Sequence, residues 1–419
     1  MDREPSGSHR ETATSECEDP QCYARLAPAP SARYIRPVTR IYLDHNATSP
    51  LRGPARAKML DSLRATGNPS SVHAEGRAAR ALVEVARENV AALVGGRARN
   101  VIFTSGATEA LNLALSGHWR SPQGAPARLL LSASEHVAAL EGHGFGDKAE
   151  TLPVDPSGLL DLAALDEALA RAETPALLCL QAANNETGVL QNVAAAAEKV
   201  HAAGGLVVCD AVQAAGRIPC TFETTGADML IVSSHKLGGP QGAGALVLRE
   251  ASLTCDRPLI RGGGQERGFR AGTENVAAIA GFGAAAEEAL AHREEEAERL
   301  AGLRDKLEAE IARLAPGAKI FGAGAPRLPN TCAFAIPGLA AETALMAFDL
   351  AGVALSSGSA CSSGKVRRSH VLAAMGVSDD VARGALRASL GWTTTEADVA
   401  AFSTALAEIL ARIGRKTAV

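Results

Sequence analysis

Aromatic side chains are scarce: two Trp, three Tyr and nine Phe among 419 residues. The core must therefore be filled with Ala, Leu and Val, which suits a helix-covered parallel sheet whose strands read as short continuous apolar runs. An excess of one charge is also missing. Lys and Arg number 42 against 46 Asp and Glu, a formal charge of -4, so neither nucleic acid nor an anionic membrane surface is expected as a partner. No apolar run reaches the ~18 residues that span a bilayer. The N-terminus lacks the apolar stretch of a secretory signal, and its acids argue against a transit peptide. The eight cysteines (17, 22, 179, 209, 220, 255, 332 and 361) are too sparse for a disulfide scaffold, and none is spaced C-x-x-C. These absences predict a reducing, cytoplasmic home.

What remains is an ordinary globular composition, 47% hydrophobic and 21% charged. Residues 1–38 hold five prolines and a balanced mix of charges without periodicity, and are expected to be a disordered tail. Strand-like runs follow at 100–104, 128–132, 176–181, 206–210, 229–233 and 243–248, separated by helical patterns at 80–94, 108–119, 162–172 and 193–203. Such alternation means βαβ units and a mainly parallel sheet. Residues 275–314 read as one long helical stretch whose acidic and basic run at 293–299 is a solvated face. A smaller α/β unit follows, with strands near 331–336 and 353–356 and helices near 342–350 and 396–413.

Five features carry chemistry. Lys236 follows an apolar strand within SSHKLGGPQG (233–242). That is the carboxyl edge where parallel sheets place ligands, and an amine there can bond to a carbonyl; taken alone, it also reads as a surface lysine. Asp210 ends the strand LVVCD, 26 positions before Lys236. A carboxylate there needs a cation or donor, such as the pyridinium nitrogen of pyridoxal phosphate, or it is a helix cap. Ser105–Glu109, between strand and helix, offers small residues and free N–H groups to an anion, or is only a capping turn. His136, just after a strand, can stack on a planar ring and move protons; a lone histidine is often neither. Cys361 sits in SSGSACSSGK (356–365) without large apolar neighbours, and Lys365, Arg367 and Arg368 favour its thiolate. The cysteines at 179, 209, 220, 255 and 332 read as structural.

In this order, and with YLDHNAT (42–48), GNPSSVH (67–73), TSGATEALNLA (104–114), NNETG (184–188), DAVQ (210–213), RAGTEN (270–275) and LRASLG (386–391), the chain resembles the cysteine desulfurases of the nitrogen-fixation and iron–sulphur-cluster type. These are class-V aminotransferases, fold-type I pyridoxal-phosphate enzymes. The resemblance runs from about residue 41 to 413. It implies an α/β fold with a seven-stranded, mainly parallel sheet in a large domain at 56–300. A small α/β domain at 301–419 would carry the Cys361 loop, and a segment at 39–55 would pack with it.

The resemblance also implies roles. Lys236 would be the Schiff-base lysine and Cα-proton carrier, Asp210 the pyridine-nitrogen partner, and Gln213 a donor to the phenolic oxygen. His136 would stack on the ring and act as acid or base. Ala107, Thr108, Ser233 and His235 would contact the phosphate, and Thr273 would reach the phosphate of a second subunit in a homodimer. Asn185 would lie near the substrate carboxylate and the phenolic oxygen, Arg387 would clamp that carboxylate, and Cys361 would take the sulphur of L-cysteine as a persulfide, releasing alanine. The sulphur would pass to an acceptor such as an iron–sulphur scaffold protein, or into tRNA or cofactor thiolation. No resident metal is implied, Cys361 meeting a cluster only during transfer. Selenocysteine lyase, or another lyase or aminotransferase of this fold, is the alternative. Two departures stand out: Gly238, where a bulkier residue is expected, and Val137, where a basic one is.

Overall fold

Six of the apolar runs, and a seventh strand that the sequence conceals, form one sheet. The computed structural model describes residues 40–122, 124–171, 174–357 and 368–417, with side chains to residue 412. The N-terminal tail and Cys361 lie outside the described residues. The strand order is Val101–Thr104, Gly244–Leu248, Met229–Ser233, Leu206–Asp210, Ala176–Gln181, Arg128–Ser132 and Ala149–Leu152. All pairs are parallel except those of Gly244–Leu248, which runs against both its neighbours. Only residues 234–243 separate it from the preceding strand, too few for the crossover of a dozen or more residues that a parallel return needs. The hidden edge strand is AETL, only one residue of which is buried.

Successive side chains of a strand face opposite sides, and both sides are covered here. Leu178, Leu180, Val207 and Cys209 join one apolar cluster with Val83, Val90 and Phe282 of the helices Ala74–Leu93 and Val276–Ala291. Leu177, Cys179, Leu206 and Val208 join another with Leu111 and Leu113 of the helix Ala107–Ala114 and with Trp119. That last helix is shorter than expected. It stops at Ala114, Gly117 takes a positive φ of 76°, and Trp119 enters a short strand while its indole N–H reaches Leu113 O at 2.7 Å.

The stretch at 275–314 is two helices, Val276–Ala291 and Arg293–Leu314, broken at His292. The first is apolar nearly all round and serves the large sheet. The second buries only Leu300, Leu303, Leu307 and Ile311, against a second core. The charged run at its start is not a simply solvated face. Glu296 accepts two N–H groups of Arg52, at 2.8 and 2.7 Å, and Arg299 donates to Thr394 O.

The second sheet is antiparallel, in the order Lys319–Ile320, Thr331–Ala335, Ala385–Ser389 and Ser356–Ser357. Phe334, Phe348 and Phe402 meet beneath it. Val353–Ala354 pairs instead with the N-terminal strand Ile41–Tyr42, so the expected strand at 353–356 divides between two sheets. From there the chain crosses to the large sheet, where Ser49 N–H donates to His235 O and Arg52 N–H to Gly238 O.

Candidate active site

Four parallel strands end at one edge of the large sheet in Ser132, Gln181, Asp210 and Ser233. Thr104 and the start of Gly244–Leu248 reach the same edge. The residues just beyond these ends enclose a cavity of about 570 Å³. Its lining includes Ala107, Thr108, His136, Asn185, Asp210, Gln213, Ser233, His235 and Lys236 of the large sheet, and Arg387 of the small one. Thr273 is exposed and does not line the cavity of its own chain. Cys361 lies outside the described residues.

Lys236 ends the turn Ser234–Lys236 that follows the strand. Its Nζ donates to Asn46 O at 2.5 Å and Ala47 O at 2.7 Å. Burial, with the nearby charges of Arg217 and Arg387, lowers the ammonium pKa to about 7, against the pull of Asp44 and Asp210. A buried lysine becomes a usable nucleophile at neutral pH in this way. The loop behind it needs its glycine: Gly238 has φ 84°, and a Cβ there would stand 2.7 Å from Arg52 Cγ. Arg52 also donates from Nε to Leu237 O. This explains why the bulkier residue expected at 238 is absent.

Asp210 is buried, and the one hydrogen bond to its carboxylate among the described residues comes from Val212 N–H at 2.9 Å. Burial lifts this carboxyl above its ordinary range, against that N–H and the charges of His136 and Lys236. His136 Nδ1 accepts from Ala138 N–H at 3.1 Å, so the proton of the neutral ring sits on Nε2. Burial and the charges of Lys236 and His370 lower its pKa, opposed by Asp210. Gln213 donates to Asn46 O at 3.0 Å and accepts from Arg217.

At the other end of the cavity, the helix Ala107–Ala114 begins. The N–H groups of Ala107, Thr108 and Glu109 precede its first internal donor, Ala110 N–H, which goes to Gly106 O at 3.1 Å. Ser233 and His235 stand in the same lining; His235 Nδ1 lies 3.2 Å from Thr48 Oγ1. Gly244 lets this corner close, since a Cβ there would stand 2.6 Å from Gly106 C. Arg387 directs NH2 to Asp44 Oδ1 at 2.7 Å and NH1 to Asn185 O at 2.9 Å, while its buried Nε has no partner.

These groups suit pyridoxal phosphate. An acceptor carboxylate with one donor awaits a ring N–H, an imidazole and a low-pKa amine share its cavity, and helix N–H groups with a hydroxyl suit a phosphate dianion. Among the described residues no group of three or more His, Cys, Asp or Glu could hold a metal ion. No described helix is long and apolar enough to cross a membrane. The segment 44–48 contributes Asn46, Ala47 and Thr48 to the cavity; they fall within the motif YLDHNAT (42–48), which by itself assigns none of them a role. Arg217, which binds Gln213, gave no signal at all.

The chain carries the family described as "Aminotransferase class-V" over residues 41–402. It is 44% identical over 370 residues to a cysteine desulfurase of Cereibacter sphaeroides, covering 86% of this chain and 93% of that one. It is 40% identical over 383 residues to the IscS-like cysteine desulfurase of Mycobacterium tuberculosis, covering 89% and 97%. The solved structure of a NifS-like protein from Rickettsia africae superposes with a TM-score of 0.81 at 35% identity, covering 88% of this chain and 99% of that one. This chain therefore belongs to the cysteine desulfurases of the pyridoxal-phosphate-dependent class-V aminotransferase family.

Proposed function

We propose that this cysteine desulfurase moves sulphur from L-cysteine onto Cys361, with Lys236, His136 and Arg387 as the other reacting or binding groups. The observation that carries this reading is the convergence of Lys236, Asp210, His136 and Arg387 on one cavity. Asp210 would hold the cofactor's ring nitrogen, His136 its face, and Ala107, Thr108, Ser233 and His235 its phosphate. Gln213 and Asn185 would flank its oxygen. When bound, pyridoxal phosphate supplies an aldehyde that bonds to amines and a ring that withdraws electrons from Cα.

The chain's own residues do the rest. Arg387 orients the substrate through its carboxylate, for which a planar fork is the matching donor. Lys236, with a pKa near neutrality, takes the Cα proton as an amine and returns it as an ammonium. His136 Nε2 exchanges a proton with the substrate thiol. The Cys361 thiolate then bonds to the substrate sulphur. The carbon–sulphur bond breaks, its electron pair stays with the three-carbon fragment, and that fragment gains a proton to leave as alanine. Cys361 retains the sulphur as a persulfide, which an acceptor protein such as an iron–sulphur scaffold removes.

Thr273 belongs to a surface made for a second copy in this reading. Glu266 and Arg267, just before it, hold positive φ values of 46° and 56°. Arg87 secures the turn through two N–H groups on Glu266, at 2.7 and 2.9 Å. Arg270 ties it to Glu109 of the helix Ala107–Ala114 at 2.9 Å. Thr273 is thus presented outward, as a residue serving a partner's cavity would be.

The test is stoichiometry. Purified protein given L-cysteine and a reductant should form alanine and sulphide in equal amounts. A keto acid that keeps its sulphur, with no sulphide released, would identify an aminotransferase, and turnover with selenocysteine alone a selenocysteine lyase; either would replace this reading. Within it, Arg387→Ala should raise the half-saturating cysteine concentration about 10²-fold, a loss fitting a bidentate charged contact. Arg387→Lys should recover little, because an ammonium cannot reproduce the fork. An unchanged half-saturating concentration in steady-state assays would place the carboxylate elsewhere.

A further inference from the structure

Asp210 is followed by a tight turn. The N–H groups of Ala214 and Ala215 donate to Ala211 O, and that of Arg217 to Ala214 O. Gly216 holds φ 74° there, and a Cβ on it would stand 2.6 Å from Leu237 Cδ2. The turn brings the Arg217 guanidinium against Gln213 and the segment 44–48. Its NH1 donates to Gln213 O at 2.9 Å and to Gln213 Oε1, and its NH2 to His45 O at 3.3 Å. Arg217 does not itself line the active-site cavity.

A guanidinium has five donors and no acceptor. The Gln213 atom that meets it must therefore be the amide oxygen, which leaves the NH2 group on the other side. There Nε2 donates to Asn46 O at 3.0 Å, and the same carbonyl receives Lys236 Nζ. One cation thus orders the amide and, through His45 O, the backbone beside the carbonyl that Gln213 and Lys236 share. All three of its acceptors are neutral. Among the described residues no carboxylate pairs with it. It shares a cleft of about 30 Å³ with Arg52 and Glu296, and those two pair with each other. Burial, with the charge of Arg387, lowers the Arg217 pKa to about 10, so it stays charged at neutral pH. An uncompensated cation is costly to keep in such a place.

We infer that Arg217 is a positioning residue: it fixes the Gln213 amide with its NH2 group toward the cavity, and so sets the donor that the cofactor's ring oxygen meets. This rests on the reading of Gln213 as flanking that oxygen. The charge acts on Lys236 as well. Arg217 and Arg387 face that amine as permanent cations, against the acids Asp44 and Asp210. His136 and His235 face it too, and the pKa of each is lowered by burial first of all.

The test titrates the loaded enzyme and reads the pH midpoint of the cofactor's visible absorbance. A donor and a nearby cation favour the ionised oxygen. Without them, the proton that this oxygen shares with the Lys236 nitrogen is held more tightly. Gln213→Leu should raise the midpoint by about one unit, a tenfold change in the proton equilibrium. Arg217→Gln, neutral and with an acceptor of its own, should raise it at least as far. Arg217→Met is the second neutral variant, should the first fold poorly, and should give the same shift. Arg217→Lys, another cation without an acceptor, should restore most of the wild-type value. The double variant Arg217→Gln, Gln213→Leu should go no further than Arg217→Gln alone, the mark of one shared contact. In cofactor-free protein, the pH midpoint for acetylation of Lys236, read by peptide mass spectrometry, should rise in Arg217→Gln, return in Arg217→Lys and hold still in Gln213→Leu. A midpoint of absorbance unmoved by Gln213→Leu would show that Gln213 does not flank the oxygen, and the reading beneath the inference would fall. A shift in Gln213→Leu with none in either neutral Arg217 variant, additive effects in the double variant, or no rescue by lysine would overturn the role of Arg217 and leave that reading standing.

Discussion

Replacing Lys236 with alanine is expected to cut alanine formation about 10⁴-fold or more, because one side chain supplies both a nucleophilic amine and a proton carrier. The fold should tolerate the change. The carbonyls of Asn46 and Ala47, which now hold Nζ, face an open polar cavity where water can take its place. The variant should still bind pyridoxal phosphate through Asp210 and the helix N-terminus, but without a covalent bond. Borohydride fixation followed by peptide mass spectrometry reads this directly. A fixed adduct on any residue of the variant would remove Lys236 from its role. The wild type adds a pH arm. Burial places the ammonium at about 7 rather than 10.5, so the reactive neutral amine accumulates as pH rises through 7. Covalent loading of cofactor-free protein should therefore accelerate up to about pH 8 and level off. An unperturbed lysine would keep accelerating beyond pH 10.

The large sheet was legible because its strands are buried on both faces and read as unbroken apolar runs. The side chains at their carboxyl ends, which line the cavity, then came with it. Even the reversed direction of Gly244–Leu248 follows from the ten residues before it. What stayed hidden was of two kinds. The strand Ala385–Ser389 carries Arg387 but reads ALRAS, without β-branched residues, and all five positions are buried. Its identity comes from pairing with Thr331–Ala335 and Ser356–Ser357, contacts that no local pattern encodes. The carbonyls of Asn46 and Ala47 reach Lys236 across 190 and 189 positions, and backbone acceptors leave no residue-type signature. The break at His292 was different, since the change from an all-apolar to a one-sided helix could have revealed it. Of the cations expected near Cys361, Arg368 is the one among the described residues. It pairs with Asp379 at 2.8 Å.

Cys361→Ala is expected to lower alanine formation about 10³-fold or more, because no other described thiol can substitute. Thiolate, not thiol, is the nucleophile. Burial pushes the Cys179 and Cys332 thiols well above their ordinary range, and the hydrogen bond with Cys220, together with burial, does the same at Cys209. Cys220 is itself buried. Cys255 is only partly buried, yet desolvation raises it too, and it does not line the cavity. With Cys361 gone, no described thiol lines the cavity to take the sulphur. Cysteine binding should survive, since Arg387 and Asn185 are untouched; the cofactor's absorbance should still change when L-cysteine is added. The decisive readout is the enzyme itself. After L-cysteine without reductant, the wild-type peptide containing Cys361 should gain the mass of one sulphur atom, and no peptide of the variant should. Undiminished alanine from the variant would mean that another thiol takes the sulphur, and that the thiol at 361 takes no part in breaking the bond.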